Sequence, residues 1–599
     1  MMMRFRFAAV LLAAFLISSG ADAADAPVDL LWGVKIPLRD GVQLDATVFR
    51  PAGQKEPLPV VFTLTPYTAD TYLERALYFA RHGYVFALID VRGRGNSGGR
   101  FDPFVNEGKD GHDAVEWLAR QPWSNGKVTM WGGSYAGYDQ WATLREAPPH
   151  LATIVPVASP YPGVDFPMTK NIFASYDIQW LTYTSGLTGN RNLFNESSFW
   201  EQKNQEMYRG HRPFRELDRI VGNTSTVFQT WLAHPTRDAH WSAMAATPQQ
   251  TAGMKVPILS LTGFYDGDQG GALAWYREHM RYGSAEARAR HYLIIGPWDH
   301  AGTRTPTKEV GGLAFGDASL LDLNDLHRQW YDWTMKNGPR PAFLKKRVAW
   351  YLAGPGAEEW RYADTLEAVS DSTRTLYLGS NGRADSVFDS GRLAAEKPAQ
   401  TPEPAEPDRW TYDPLRLRPD ETDENDETDE NETGYVLDQS YPLRLEGEGA
   451  VYHSAPLPEA TEIAGSVKLS LWLSLDVPDT DLQALLYEIR PDGSSVYLTS
   501  DVLRARYRES LEKETLVKPG EVLRYDFTGF PWFARRLLKG SRLRLVVASI
   551  NSSGFQKNYN SGGVVADETA KDARTAHIAL WHDAQHPSAL EIPLAKGGH

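Results

Sequence analysis

Three side chains stand out for chemistry: Ser134, Asp266 and His300, in that order along 599 residues. Ser134 lies in the stretch "VTMWGGSYAGYDQW" (128–141), among glycines and directly after a short apolar run. Asp266 follows 132 residues later in "VPILSLTGFYDG", and His300 another 34 residues on in "YLIIGPWDH". A neutral serine hydroxyl is a weak nucleophile. It needs a base to take its proton, a group to orient that base, and donors for the oxyanion that develops. Each residue alone has an ordinary reading: a serine on a glycine-rich turn, an aspartate capping a helix, a histidine in a loop. Together they follow three apolar strands in the Ser, Asp, His order used on doubly wound sheets, which points to acyl transfer. Asp268 and Asp299 are rivals to Asp266 as orienter. Asp299 adjoins His300 and in extended chain would point elsewhere. The backbone N–H of Tyr135 is one expected oxyanion donor, and the phenol of Tyr67, after the strand "VVFTLTP", is the other.

These residues need a scaffold. After a predicted hairpin at 28–50, strands alternate with helices: "LPVVFTLTP", "DTYLERALYFARHG", "YVFALIDV", "KDGHDAVEWLARQ", "KVTMWG", "SYAGYDQWATLRE", "ATIVPVA". Apolar strands alternating with helices predict a parallel sheet covered on both faces. Residues 161–251 break the rhythm with Trp, Tyr, Phe and Asn at helical spacing, and read as an inserted helical cap. The α/β rhythm resumes from 252 to 350. Residues 351–599 are strand-rich with Pro, Gly and Asp turns and predict a β-sandwich. The fold class is therefore α/β with a C-terminal β domain. The cap is expected to shape the acyl pocket, and the β domain to close one wall.

Composition narrows the function. Hydrophobic content of 42% and charge of 23% are globular values. The N-terminus, "MMMRFRFAAVLLAAFLISSGADAADAP", has a basic start, an apolar run and an Ala-x-Ala site, which predicts a secretory signal cleaved near Ala23. The mature chain is expected outside the cytoplasm, secreted or in a bacterial periplasm, with no membrane span. There is no cysteine, so disulfides, thiol nucleophiles and thiolate metal sites are excluded. Nine of the acids behind the net charge of −14 fall in "DETDENDETDENE" (420–432), read as a solvated loop. Its end begins like a calcium loop, but Ser440 stands where a glutamate is required. Nucleic acid is not an expected partner. Gly93-Arg94-Gly95-Asn96-Ser97-Gly98 matches a dinucleotide fingerprint after a strand, but no helix opens behind it, so that reading is rejected. No metal or organic cofactor is expected.

Taken together, the motifs resemble the cocaine esterase / Xaa-Pro dipeptidyl-peptidase (CocE/NonD, S15-like) family of serine hydrolases, which includes α-amino acid ester hydrolases and glutaryl-cephalosporin acylases. Gly132-Gly133-Ser134-Tyr135-Ala136-Gly137 is similar to its G-x-S-Y-x-G elbow. Asp90-Val91-Arg92-Gly93, Gly263-Phe264-Tyr265-Asp266-Gly267, Gly296-Pro297-Trp298-Asp299-His300 and Thr65-Pro66-Tyr67 are similar to its other segments. The resemblance implies an α/β-hydrolase core, a helical cap and a C-terminal jelly roll. It also implies two substrate-binding positions after the catalytic aspartate, here Asp268 and Gln269, the second an amide where the amino-ester hydrolases have an acid. A third acid is implied in the cap, where Asp165 and Asp177 are candidates. The expected reaction is cleavage of small esters or amides through an acyl-enzyme. Release of Xaa-Pro dipeptides is the enzymatic alternative, and carbohydrate or surface binding through the jelly roll the non-enzymatic one.

Overall fold

The computed structural model describes residues 26–68, 72–400, 406–417, 435–445 and 447–597. The expected signal segment and the acidic run at 420–432 lie outside the described residues. Ten strands form the first sheet: β1 (Val28–Pro37), β2 (Gln43–Pro51), β3 (Leu58–Thr65), β4 (Val85–Asp90), β5 (Ser124–Gly133), β6 (Leu151–Val157), β7 (Ile258–Tyr265), β8 (His291–Asp299), β9 (Val348–Leu352) and β10 (Glu359–Ala363). Their spatial order is β1-β2-β4-β3-β5-β6-β7-β8-β9-β10. The run from β4 to β9 is parallel, and the strands beyond it at either edge pair antiparallel.

The parallel strands are apolar on both faces because helices cover both. Val60, Val61, Phe62, Ile89, Val128, Met130, Ile294 and Ile295 are buried. Each such side chain contributes roughly 1.5–3 kcal/mol on leaving water. Helices α1 (Leu73–Arg81), α2 (Glu107–Ala119) and α3 (Tyr135–Arg145) follow β3, β4 and β5. Trp141 of α3 stacks on Trp275 of a later helix at 5.3 Å, fixing the layer next to the nucleophile turn.

Between β6 and β7 the chain forms the expected helical insertion. Its helix α4 (Tyr176–Tyr183) leans over the carboxyl ends of the strands. After β7 comes α5 (Gln269–Tyr282), then the short α6 (Ala285–Ala289).

A second sheet of 13 strands, almost wholly antiparallel, spans Ser370 to Ala595. The change of sheet comes later than the sequence suggests. The division expected after residue 350 cuts through β9, and β10 still belongs to the first sheet. The reason is local. Val348–Leu352 pairs with β8, and the returning strand adds to that edge, while both read as generic β segments in sequence. The two sheets are joined near the site: Trp532, just before the strand Phe533–Leu537 of the second, packs against Phe264 at 5.8 Å and Trp350 at 6.0 Å.

Candidate active site

Ser134 sits where β5 turns into α3, with φ 61° and ψ −131°. L-residues avoid this backbone region at a cost of about 1–3 kcal/mol, so the surrounding structure must impose it. The Ser134 N–H donates to Val157 O at 3.0 Å. Glycine is required on both sides of the turn. A Cβ on Gly132 would come within 2.6 Å of the Ala136 Cβ, and one on Gly137 within 2.7 Å of Val157 O.

Asp266 and His300 lie just past β7 and β8. These neighbouring parallel strands deliver both loops to the same crevice at their carboxyl ends. The two residues meet, His300 Nδ1 lying 2.7 Å from Asp266 Oδ1. The same carboxylate accepts from the Asp268 N–H at 3.0 Å, and its other oxygen accepts from Thr262 Oγ1 at 2.8 Å. Burial pushes the Asp266 carboxyl up. The His300 bond and charge, with the other donors, outweigh burial and hold it below the usual carboxylate range. For His300, burial and the Arg304 guanidinium oppose protonation. The bond to Asp266 and the charges of Asp266 and Asp268 prevail, so the imidazole is raised above its ordinary value. With Nδ1 committed to the carboxylate, Nε2 is the ring nitrogen available as a base. The rival Asp299 instead accepts from the Gly302 N–H at 2.6 Å and shapes the loop after His300.

Tyr67 reaches the serine, its hydroxyl 3.1 Å from Ser134 Oγ. That phenol oxygen also accepts from the Tyr135 N–H at 3.4 Å and from Trp180 Nε1, on α4, at 3.2 Å. Burial pushes the Tyr67 phenol up, so it is a neutral donor. Among the described residues Ser134 and His300 are not directly bonded. The serine hydroxyl stands between Tyr67 and the carboxyl of Asp268, whose ionised form it favours.

Asp268 lies inside the crevice with its Oδ2 3.9 Å from His300 Nδ1. Burial raises its carboxyl to about 7, against the pull of the His300 charge. Gln269 does not belong with it. Its amide donates to Gly263 O at 2.8 Å and to Trp532 O at 2.7 Å, and accepts from the Trp532 N–H at 2.6 Å. At 1% exposure it is a staple between the two sheets, so the expectation that it binds substrate is corrected. Two of its three bonds are to the Trp532 backbone, which only the folded β domain supplies. Of the cap acids, Asp165 accepts from the N–H groups of Tyr161 and Gly271 and feels the charge of Asp268. Asp177 on α4 is 1% exposed with both carboxyl oxygens unpartnered, and burial holds it well above the carboxylate range.

Two positioning groups carry no motif that signals this role. Arg94, fully buried, donates to Pro66 O at 2.7 Å and to the cap carbonyls of Tyr183 and Ser185, so it ties the Tyr67 loop to the cap. Glu107 accepts from the Tyr135 hydroxyl at 2.8 Å. A glycine-rich loop and a helix start are the only sequence signals for either. Asp266, Asp268 and His300 present ligand-type atoms within 4.8 Å of one another. The 2.7 Å bond between Asp266 Oδ1 and His300 Nδ1 orients the imidazole within that group.

A second serine–histidine contact exists: Ser260 Oγ is 2.9 Å from His291 Nε2. It lies at the amino-terminal ends of β7 and β8, away from the carboxyl ends that carry the crevice; both residues are buried, and the other imidazole nitrogen meets His279 rather than a carboxylate. Burial pushes His291 well below its ordinary value. With no substrate access and no orienting acid, it is a core contact.

Comparisons with known proteins give the family. Residues 40–302 match the model of the X-Pro dipeptidyl-peptidase (S15) family, and residues 343–591 that of the X-Pro dipeptidyl-peptidase C-terminal non-catalytic domain. The chain is 26% identical over 591 residues to a cocaine esterase of Rhodococcus sp. (strain MB1 Bresler), covering 94% of this chain and 98% of that protein. A solved α-amino acid ester hydrolase superposes with TM-score 0.80 at 22% identity, covering 96% and 98% of the two chains. A solved CocE/NonD family hydrolase from Staphylococcus aureus superposes with TM-score 0.65 at 16% identity, covering 94% and 93%. Among the described residues no helix is long and apolar enough to cross a membrane. The chain belongs to the CocE/NonD, X-Pro dipeptidyl-peptidase (S15) family and is a serine hydrolase acting on esters or amides.

Proposed function

We propose that the protein is an exported hydrolase of small esters or amides that works through an acyl-enzyme on Ser134. Ser134 Oγ attacks the substrate carbonyl and passes its proton to His300 Nε2, while Asp266 holds the imidazole and stabilises its charged form. The tetrahedral oxyanion takes hydrogen bonds from the Tyr67 phenol and the Tyr135 N–H. The leaving group departs with the proton from His300. Water then attacks the acyl-enzyme with His300 again as base, releasing the acid and restoring the serine.

The observation that carries this reading is the Tyr67 hydroxyl, 3.1 Å from Ser134 Oγ and 3.4 Å from the Tyr135 nitrogen. The phenol and the amide flank the serine, and the long bond between them is one that an incoming carbonyl oxygen can replace. Ester substrates are supported by the names of the relatives, a cocaine esterase and an α-amino acid ester hydrolase. Xaa-Pro dipeptide release is the second reading. It is favoured by the matched family and by the Asp268 carboxyl beside the serine, which suits a substrate ammonium.

One panel tests both. Acyl esters with and without a free α-amino group are assayed beside an Xaa-Pro anilide, together with fluorophosphonate labelling. Labelling that vanishes in Ser134→Ala, with ester turnover exceeding anilide turnover, supports the first reading. Labelling that survives that substitution overturns it. Export is tested by the N-terminus of the protein recovered from its native host, expected just after Ala23.

A further inference from the structure

A second site lies at the opposite end of α5 from the candidate active site. A cleft of about 540 Å³ is lined by Arg277 and Arg281 of α5, Arg288 of α6 and Arg347 just before β9, over Tyr276 and Met280. Glu367 is the one acid on the lining, which leaves the wall at net +3. In a chain of net charge −14 this is a local reversal of sign.

None of the four guanidiniums forms an ion pair among the described residues. Elsewhere arginines find acids readily: Arg328 holds Asp325 and Asp332, and Arg92 holds Asp110. Here Arg288 donates one bond to Met280 O and Arg347 one to Arg288 O, both at 3.3 Å, which fixes two forks while leaving further N–H groups unengaged. Glu367 acts on Arg277 only at longer range. A cation in the last turn of α5 has an ordinary use in offsetting the helix dipole. That accounts for Arg281. The same use covers Arg288, whose guanidinium donates to Met280 O in that turn, but not Arg277, a turn earlier, or Arg347, brought in from another element to the same wall.

We propose that this cleft binds a multiply charged organic oxyanion, a polyphosphate or polycarboxylate, whose less polar part lies over Tyr276 and Met280. Guanidinium forks match the oxygens of phosphate and carboxylate two at a time, and several around one cleft select for more than one negative charge. The volume suits a small organic molecule and exceeds what a simple inorganic anion fills. At 1.5 Å per residue, Arg277 and Arg281 lie about 12–18 Å along α5 from its first residue, Gln269, so this is not part of the crevice at Ser134.

The test is calorimetric titration of the whole protein with pyrophosphate and with citrate, each at constant ionic strength set with sodium chloride. Saturable one-to-one binding with Kd below about 1 mM is expected for at least one of them. Pyrophosphate alone identifies a phosphate ligand, and citrate alone a polycarboxylate. The double variant Arg277→Gln/Arg347→Gln is expected to weaken binding by at least about tenfold, with ester hydrolysis unchanged. Lys539→Gln, outside the cleft, is expected to leave binding unchanged. Should the double variant fold poorly, Arg281→Gln alone is expected to weaken binding without lowering the melting temperature. Absence of saturable binding by both anions, or binding indifferent to the arginine substitutions, overturns the proposal.

Discussion

Asp268 Oδ2 lies 3.9 Å from His300 Nδ1, the nitrogen that Asp266 binds at 2.7 Å. Two acids of one loop thus act on one imidazole. Both favour its protonated form and raise it above the ordinary value of 6.5. A base must be neutral to accept a proton, so kcat/KM is expected to fall on the acid side with a midpoint above that value. Asp268→Asn removes one raising charge, and the acid limb is expected to move to lower pH. A kcat/KM profile between about pH 5 and 9 checks this, and a limb that stays in place or moves upward refutes the role given to Asp268.

Tyr67→Phe keeps the ring and removes the phenol donor. Loss of one oxyanion donor costs about 10²–10³ in kcat, with KM little affected because the bond strengthens only as charge develops. A variant affected mainly in KM would place Tyr67 in substrate binding instead.

The strained backbone at Ser134 separates two inactive variants. Ser134→Gly relieves the positive φ, whereas Ser134→Ala keeps it. The glycine variant is expected to be more stable than the alanine variant by about 1–3 kcal/mol, read from denaturant midpoints.

Gln269→Ala is the measure of the staple to Trp532. Its loss leaves the backbone groups of Gly263 and Trp532 without partners and is expected to lower stability by about 1–3 kcal/mol per unsatisfied group. It is also expected to lower kcat by loosening the Asp266 loop, while the preference between amino and des-amino esters stays the same. A changed preference would restore Gln269 as a substrate contact.

Asp177 predicts a pH-dependent gain. Its carboxyl is raised in the folded protein, so the cost of keeping it there is absent below its unfolded value near 3.8 and grows as pH rises above it. Asp177→Asn is expected to stabilise the protein by about 1–3 kcal/mol at pH 7–8 and to make no difference near pH 4, by thermal melting at both.

The parallel sheet, the cap and the β domain were legible because each has a period or composition of its own. Ser134 announces itself through glycines that the turn requires on steric grounds, and Asp266 and His300 through their places after apolar strands. Gln269 shows the limit. Its spacing from Asp266 suits a binding residue, and only the Trp532 backbone, 263 residues away, reveals a structural role. Arg94 and Trp180 were hidden for the same reason, since their partners are carbonyls and a phenol brought near by tertiary folding. The edge of the first sheet was less legible, because β10 joins it through pairing that its own residues do not encode.

The Gln269–Trp532 link also bears on biogenesis. The loop that carries Asp266 takes an anchor from backbone synthesised 263 residues after Gln269. A nascent chain long enough to contain Ser134, Asp266 and His300 is therefore expected to lack a settled reaction centre until the segment around Trp532 has folded onto it.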